Sequence, residues 1–279
     1  MNLVLDDKPK REAFRRKILI ISILVVCLIA ILIGAYAQVF RTAPKTYKEL
    51  TEQQYEELST KFESIFTNTL YNPENKTASK IENDKDLVYT GYNYADTVSG
   101  RYTLAVNIPY ININNDIAKK YNEDIKSIFE AKAQSILNAT NNVNTIYSVG
   151  YVAYVNENIL SLVIHSNLKD GTNAQRTIIQ TYNFDLQTQK SVSIDKILET
   201  KGITKNYAES KVRERIKEEE RRSNELKELG YVFFQRDYTN DIYEINNTTE
   251  YFIGENGYIY LVYAYGNEQN TSELDVIIF

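Results

Sequence analysis

The chain has 279 residues, 43% apolar and 12% aromatic, with 23 Tyr, no Trp and a formal charge of −5. That is enough apolar material to bury a sizeable core. One cysteine, Cys27, excludes an intrachain disulfide and with it the small stapled secreted scaffolds. Beyond residue 17 the chain keeps 26 basic against 34 acidic residues, near −8, which argues against nucleic acid as a partner.

Residues 1–17 form a basic tail carrying Lys8, Lys10, Arg11, Arg15, Arg16 and Lys17. Residues 18–40 are uncharged and built of Ile, Leu, Val and Ala. At about 1.5 Å per residue, roughly 20 such residues cross a hydrocarbon layer of about 30 Å, so this segment reads as a single transmembrane helix. The cationic flank places the tail in the cytoplasm and the remainder outside the cell. Ala35-Tyr36-Ala37 also fits a signal-peptide cleavage pattern, which leaves secretion after cleavage near Ala37 as the alternative. Either way the rest of the chain is extracytoplasmic, and Cys27 is a lipid-facing residue.

Residues 41–99 are expected to hold a juxtamembrane helix and the first part of the ectodomain. Thr51 and Gln54 form a capping box, and Leu50 with Tyr55 a hydrophobic staple. Tyr55, Leu58, Phe62, Ile65 and Phe66 then recur at helical spacing, predicting a helix over 51–68. Residues 72–86 are polar and read as loop. Leu87–Tyr94 and Arg101–Ile108 read as strands around Gly100.

Ile117, Tyr121, Ile125, Ile128, Phe129, Ala133, Ile136 and Leu137 mark a long helix over 114–138, capped by Asn114 or Asn115. An antiparallel meander follows. Residues 147–155 and 160–164 alternate on either side of a turn at Asn156–Asn158. Arg176–Asp185 comes next, with Ile178, Tyr182 and Phe184 on one face, and Val192–Leu198 closes the block. A charged helix spans 203–229 and ends at Gly230. Tyr251–Ile253 and Tyr258–Tyr263 flank Asn256-Gly257 as a hairpin, and Leu274–Phe279 is a last strand whose apolar end demands burial. The expected fold class is α+β, an antiparallel sheet with packed helices, preceded by the transmembrane helix.

Three segments carry a family resemblance. They are Ile108-Pro109-Tyr110-Ile111-Asn112, then Tyr182-Asn183-Phe184-Asp185-Leu186-Gln187-Thr188 with Ser193-Ile194-Asp195-Lys196-Ile197-Leu198, and the run from Glu255 through Tyr265 to Gly266. In order and spacing they resemble a bacterial envelope domain family. It is shared by the extracellular part of the lysozyme-sensing anti-sigma factor and the accessory domain of a peptidoglycan deacetylase. The resemblance covers residues 100–279 and implies an α+β domain exposed at the cell surface. Seventeen residues before the apolar run are too few for a domain that grips a sigma factor, and the His-rich catalytic domain of the deacetylase has no counterpart here.

Catalytic chemistry finds little support in the residues. His165 is the only histidine, so a zinc site would need carboxylates for its other ligands. In its strand His165 reads as a half-exposed sheet residue. No Gly-x-Ser-x-Gly elbow and no phosphate-binding glycine pattern occurs. Glu218-Glu219-Glu220 reads as a solvated helix face neutralised by neighbouring arginines. No catalytic residue, metal or cofactor is expected.

The clearest surface candidate is the tyrosine-rich C-terminal hairpin, and within it the loop of Tyr263, Tyr265, Gly266 and Asn267, because tyrosine stacks on sugars and anchors protein partners. The chain is therefore expected to be a non-catalytic, membrane-anchored binding or sensing module of the bacterial envelope, with a cell-wall fragment or a protein as partner. The alternatives are an anti-sigma-like membrane regulator without a full cytoplasmic domain, and an envelope hydrolase.

Overall fold

The computed structural model describes residues 47–73, 79–141, 143–266 and 271–279. The cytoplasmic tail and transmembrane segment expected over 1–40 lie outside them. Among the described residues no helix is long and apolar enough to cross a membrane.

Helix α1 (Glu52–Lys61) starts as the sequence suggests, with Thr51 and Gln54 in a reciprocal capping box. It stops earlier than the apolar spacing predicts, passing into a 3-10 turn at Phe62–Ser64. Asn68 then takes a left-handed φ of 57°, which asparagine tolerates because its short amide side chain bonds locally. Its backbone N–H donates to Tyr151 O at 2.8 Å, and its side-chain Oδ1 accepts from Tyr151 N at 3.1 Å. That clamp starts a short strand, β1 (Thr69–Tyr71), in the three residues left between the expected helix over 51–68 and the expected loop over 72–86.

β2 (Val88–Val98) and β3 (Tyr102–Ile111) form a hairpin with a bulge at Thr90/Tyr92. Gly91 sits in that bulge because the Tyr110 ring packs where a Cβ would stand. The Ile108–Asn112 segment thus acquires a structural meaning. The Tyr110 hydroxyl donates to Glu130 at 2.5 Å. The Asn112 side chain accepts from Ile81 N and Glu82 N and donates to Glu82 O, fixing the preceding loop.

The long helix is present, capped by Asn115. It comprises α2 (Asp116–Ile125), a π turn at Lys126–Glu130 and α3 (Ala131–Asn138). β4 (Thr145–Asn156), β5 (Ile159–Lys169) and β6 (Arg176–Asp185) form the meander, with Glu157 at φ 54° in the first turn. β7 is only Lys190–Ser191. The segment read as a closing strand is instead α4 (Ile194–Thr200), because the Ser193 side chain accepts from Lys196 N and caps a helix.

Helix α5 (Lys205–Glu228) ends at Gly230, whose φ of 90° permits N–H bonds from Gly230 to Lys227 O and from Tyr231 to Leu226 O. β8 (Glu250–Ile253), β9 (Ile259–Tyr265) and β10 (Glu273–Ile278) close the chain, with Phe279 buried.

The fold is α+β and mostly antiparallel, but it holds two sheets where one was expected. The larger has the order β2-β3-β4-β5-β6-β7 with β1 beside β4, and both β3 and β1 run parallel to β4. The smaller has the order β10-β9-β8. The two-residue period of β4 to β6 divides the cores. Tyr147, Val149, Tyr151, Leu162 and Phe184 face α2 and α3, whereas Val152, Tyr154, Val163 and Ile179 meet the smaller sheet. β9 repeats the pattern. Tyr260 and Val262 face the larger sheet, and Leu261, Tyr263 and Tyr265 face α5. The layers therefore run helix, sheet, sheet, helix, and α1 packs on the inter-sheet core through Tyr55, Leu58 and Phe62.

A tyrosine-walled groove as the candidate functional site

β6 pairs with β7 only at Phe184 and Asp185. Upstream of that point its edge lies between α2 on one side and β8 on the other, and alternation sends its side chains both ways. Tyr182 goes toward α2, where its ring lies 4.8 Å from that of Tyr121. Thr181 and Asn183 go toward β8. Thr181 Oγ1 accepts from Tyr251 N at 3.1 Å, Asn183 Nδ2 donates to Tyr251 O at 2.7 Å, and Ser161 Oγ bridges Asn183 Oδ1 and Ile253 N. These side chains satisfy the backbone groups of β8 where it crosses the larger sheet.

Glu250 completes the seam by accepting from Thr181 N at 2.7 Å, and burial raises its pKa. A carboxylate held there by a backbone donor serves the joint between the sheets.

Beside this seam opens a groove of about 480 Å³. Tyr121, Tyr182 and Tyr251 wall it, and Asp185, Thr188, Lys190, Ser191, Ser193, Lys196 and Thr249 supply its polar lining. Most of its polar groups are already engaged. The Tyr251 hydroxyl donates to Val192 O at 3.1 Å and Tyr121 reaches Asn183 O at 3.4 Å. Asp185 Oδ1 accepts from Gln187 N and Thr188 N, which shapes the turn into β7. Lys196 is paired with Glu199 at 2.8 Å.

One group stands apart. The Tyr182 hydroxyl is buried, in a residue 6% exposed, and has no hydrogen-bond partner among the described residues. Burial raises its pKa, so it is a neutral phenol. Its oxygen is shielded from solvent, so an incoming donor or acceptor meets it only after a wall side chain moves.

The C-terminal hairpin is arranged differently. Tyr263 and Tyr265 are 7% and 6% exposed and belong to the core against α5. Tyr263 shares a hydrogen bond with Thr248 at 3.1 Å, and burial pushes its pKa up to about 12. Tyr265 bonds the Tyr243 hydroxyl at 2.8 Å and lies 4.7 Å from the Arg236 guanidinium. Neither ring presents a face to a ligand, so the expectation of a binding loop built on them gives way to a packing role: alternation along β9 turns both toward α5. Gly266 lies against Ser272 and Arg176, and Asn267 lies outside the described residues.

His165 is also deeper than its strand context suggests. Its side chain is 11% exposed and its ring stacks on Phe66 at 4.7 Å. Nε2 lies 3.4 Å from Glu63 without hydrogen-bond geometry, and burial lowers its pKa despite that carboxylate. Among the described residues no group of three or more His, Cys, Asp or Glu is placed to hold a metal ion.

No family model and no curated protein matches the sequence. Its structural neighbours among solved proteins are DUF3298 family proteins. One, from Pseudomonas aeruginosa PAO1, is 11% identical with a TM-score of 0.37, over 64% of this chain and 82% of that one. Another, from Bacteroides fragilis NCTC 9343, is 13% identical with a TM-score of 0.35, over 65% of this chain and 83% of that one. Likeness at this level carries no weight for what the groove binds, which must be read from the chain's own residues.

Proposed function

We propose that the protein is a membrane-tethered, extracytoplasmic binding module of the bacterial envelope that takes a ligand in the Tyr121–Tyr182–Tyr251 groove without turning it over. The observation that supports this most is the buried, unpartnered Tyr182 hydroxyl in a concave aromatic wall. Leaving such a group unmet costs about 1–3 kcal/mol, a cost that a bound ligand would remove.

The tether and the outward orientation rest on the uncharged run 18–40 and its basic flank. The envelope setting also follows the resemblance of residues 100–279, two of whose segments, Tyr182–Thr188 and Ser193–Leu198, contribute to the groove wall. The carboxylates nearest the groove have structural duties, Asp185 in a turn and Glu250 in the seam, which favours binding over hydrolysis.

The test is co-sedimentation of the full chain, in lipid nanodiscs, with purified insoluble cell wall. Retention that falls at least about tenfold on Tyr251→Ala, with the circular dichroism spectrum unchanged, is the expected result. Retention indifferent to groove substitutions, or no retention at all, would count against the reading.

A further inference from the structure

Resting on that reading, we infer that the ligand is a saccharide carrying a carboxylate. Tyr121 and Tyr251 are half-buried and line the groove with Tyr182 buried behind them, which leaves two aromatic faces suited to the C–H face of a pyranose. The hydroxyls of Thr188, Ser191, Ser193 and Thr249 lie around these rings, and the Tyr182 phenol, shielded behind them, adds a donor and an acceptor once a wall side chain moves aside. A groove of about 480 Å³ suits one or two sugar rings rather than a folded partner's surface.

The charge on the rim supplies the second half of the inference. Lys190 is exposed on the two-residue strand β7 and lines the groove. It has no ion pair among the described residues, whereas Lys196 is held by Glu199. Asp185, the one lining carboxylate among the described residues, has Oδ1 committed to the turn that presents Lys190. In an ectodomain near −8 overall, a free ammonium beside an aromatic wall selects an anion by local contact, since the long-range field repels it.

Such a carboxylate has two sources at a bacterial surface, the lactyl ether of muramic acid in wall strands stripped of their stem peptide and the hexuronates of extracellular polysaccharide. Both present the same chemistry to Lys190, and the probes below separate them.

The experiment is a calorimetric titration of the full chain in nanodiscs with three probes: N-acetylglucosaminyl-N-acetylmuramic acid, a hyaluronan tetrasaccharide, and neutral chitobiose. At least one acidic probe should bind about five- to tenfold more tightly than chitobiose, and Lys190→Gln should abolish the difference. The muramyl probe alone binding assigns the wall, and the hyaluronan probe alone assigns a hexuronate. Equal affinity for chitobiose and both acids would overturn the carboxylate inference while leaving the groove as the site. Failure of all three saccharides to bind, with insoluble wall still retained through Tyr251, would overturn the saccharide class and spare the binding reading. Binding indifferent to Tyr251→Ala and Tyr182→Phe would overturn both.

Discussion

Two sets of tyrosines in this chain make opposite use of the same side chain. At the C-terminal hairpin, Tyr263 and Tyr265 bury their rings against α5 and find partners for their hydroxyls in Thr248 and Tyr243. At the β6 edge, Tyr121 and Tyr251 keep part of their rings in the groove, and Tyr182 buries a hydroxyl without a partner among the described residues. Tyrosine density along the sequence is higher in the first region, but the concave surface is in the second. What separates them is whether the neighbouring strand is long enough to cover the sheet edge: β10 runs six residues beside β9, and β7 only two beside β6.

The comparison predicts stability losses on the hairpin side and binding losses on the groove side. The largest effect should come from Arg236→Ala. The Arg236 guanidinium is 5% exposed, holds Asp275 through two bonds at 2.9 and 3.1 Å, contacts Glu273, and lies over Tyr265. Removing it strands a buried carboxylate, so urea unfolding should show a loss of about 3–5 kcal/mol. A loss below about 1 kcal/mol would mean that the hairpin region is not the packed core described.

The next effect is on pH. Because burial depresses the His165 pKa below its usual 6.5, the unfolded chain takes up a proton there before the folded one does. Stability should therefore be indifferent to this group above about pH 6.5 and fall as pH drops below it, by at most about 1.4 kcal/mol per unit. His165→Gln should flatten that part of the profile, and an unchanged slope would show that His165 protonates without cost, through Glu63.

The smallest effect is expected at the groove rim. Lys190→Gln should alter stability by no more than about 0.5 kcal/mol, because the side chain is exposed and unpaired among the described residues. A larger loss would make β7 part of the scaffold and blur the contrast between the two regions.

Much of the scaffold was legible in the sequence. The capping box at Thr51, the long helix from Asn115, Arg176–Asp185 and the glycine stop at Gly230 all depend on local chemistry that a linear reading captures. The strand at Thr69–Tyr71 escaped because its partner, β4, is 83 residues away and only the Asn68 clamp signals it. The helix after Ser193 escaped for a local reason: Val192 and Ile194 alternate as in a strand, although Ile194, Ile197 and Leu198 recur at helical spacing.

The groove could not be read locally. Tyr121, Tyr182 and Tyr251 come from three separated elements, and strand alternation alone assigns Tyr182 to the core without showing that its hydroxyl lacks a partner. The available signal was the polar density of Thr181–Ser193, which the family resemblance marked without saying why.

Tyr182→Phe bears most directly on the groove. Its unfolding by urea should be followed free and saturated with N-acetylglucosaminyl-N-acetylmuramic acid. The free variant should be more stable than the parent by about 1 kcal/mol, because an unmet buried hydroxyl is gone, and should lose most of the stabilisation that the sugar confers. A free variant destabilised by a similar amount, or one that the sugar stabilises as fully as the parent, would show that this hydroxyl is not waiting for a ligand.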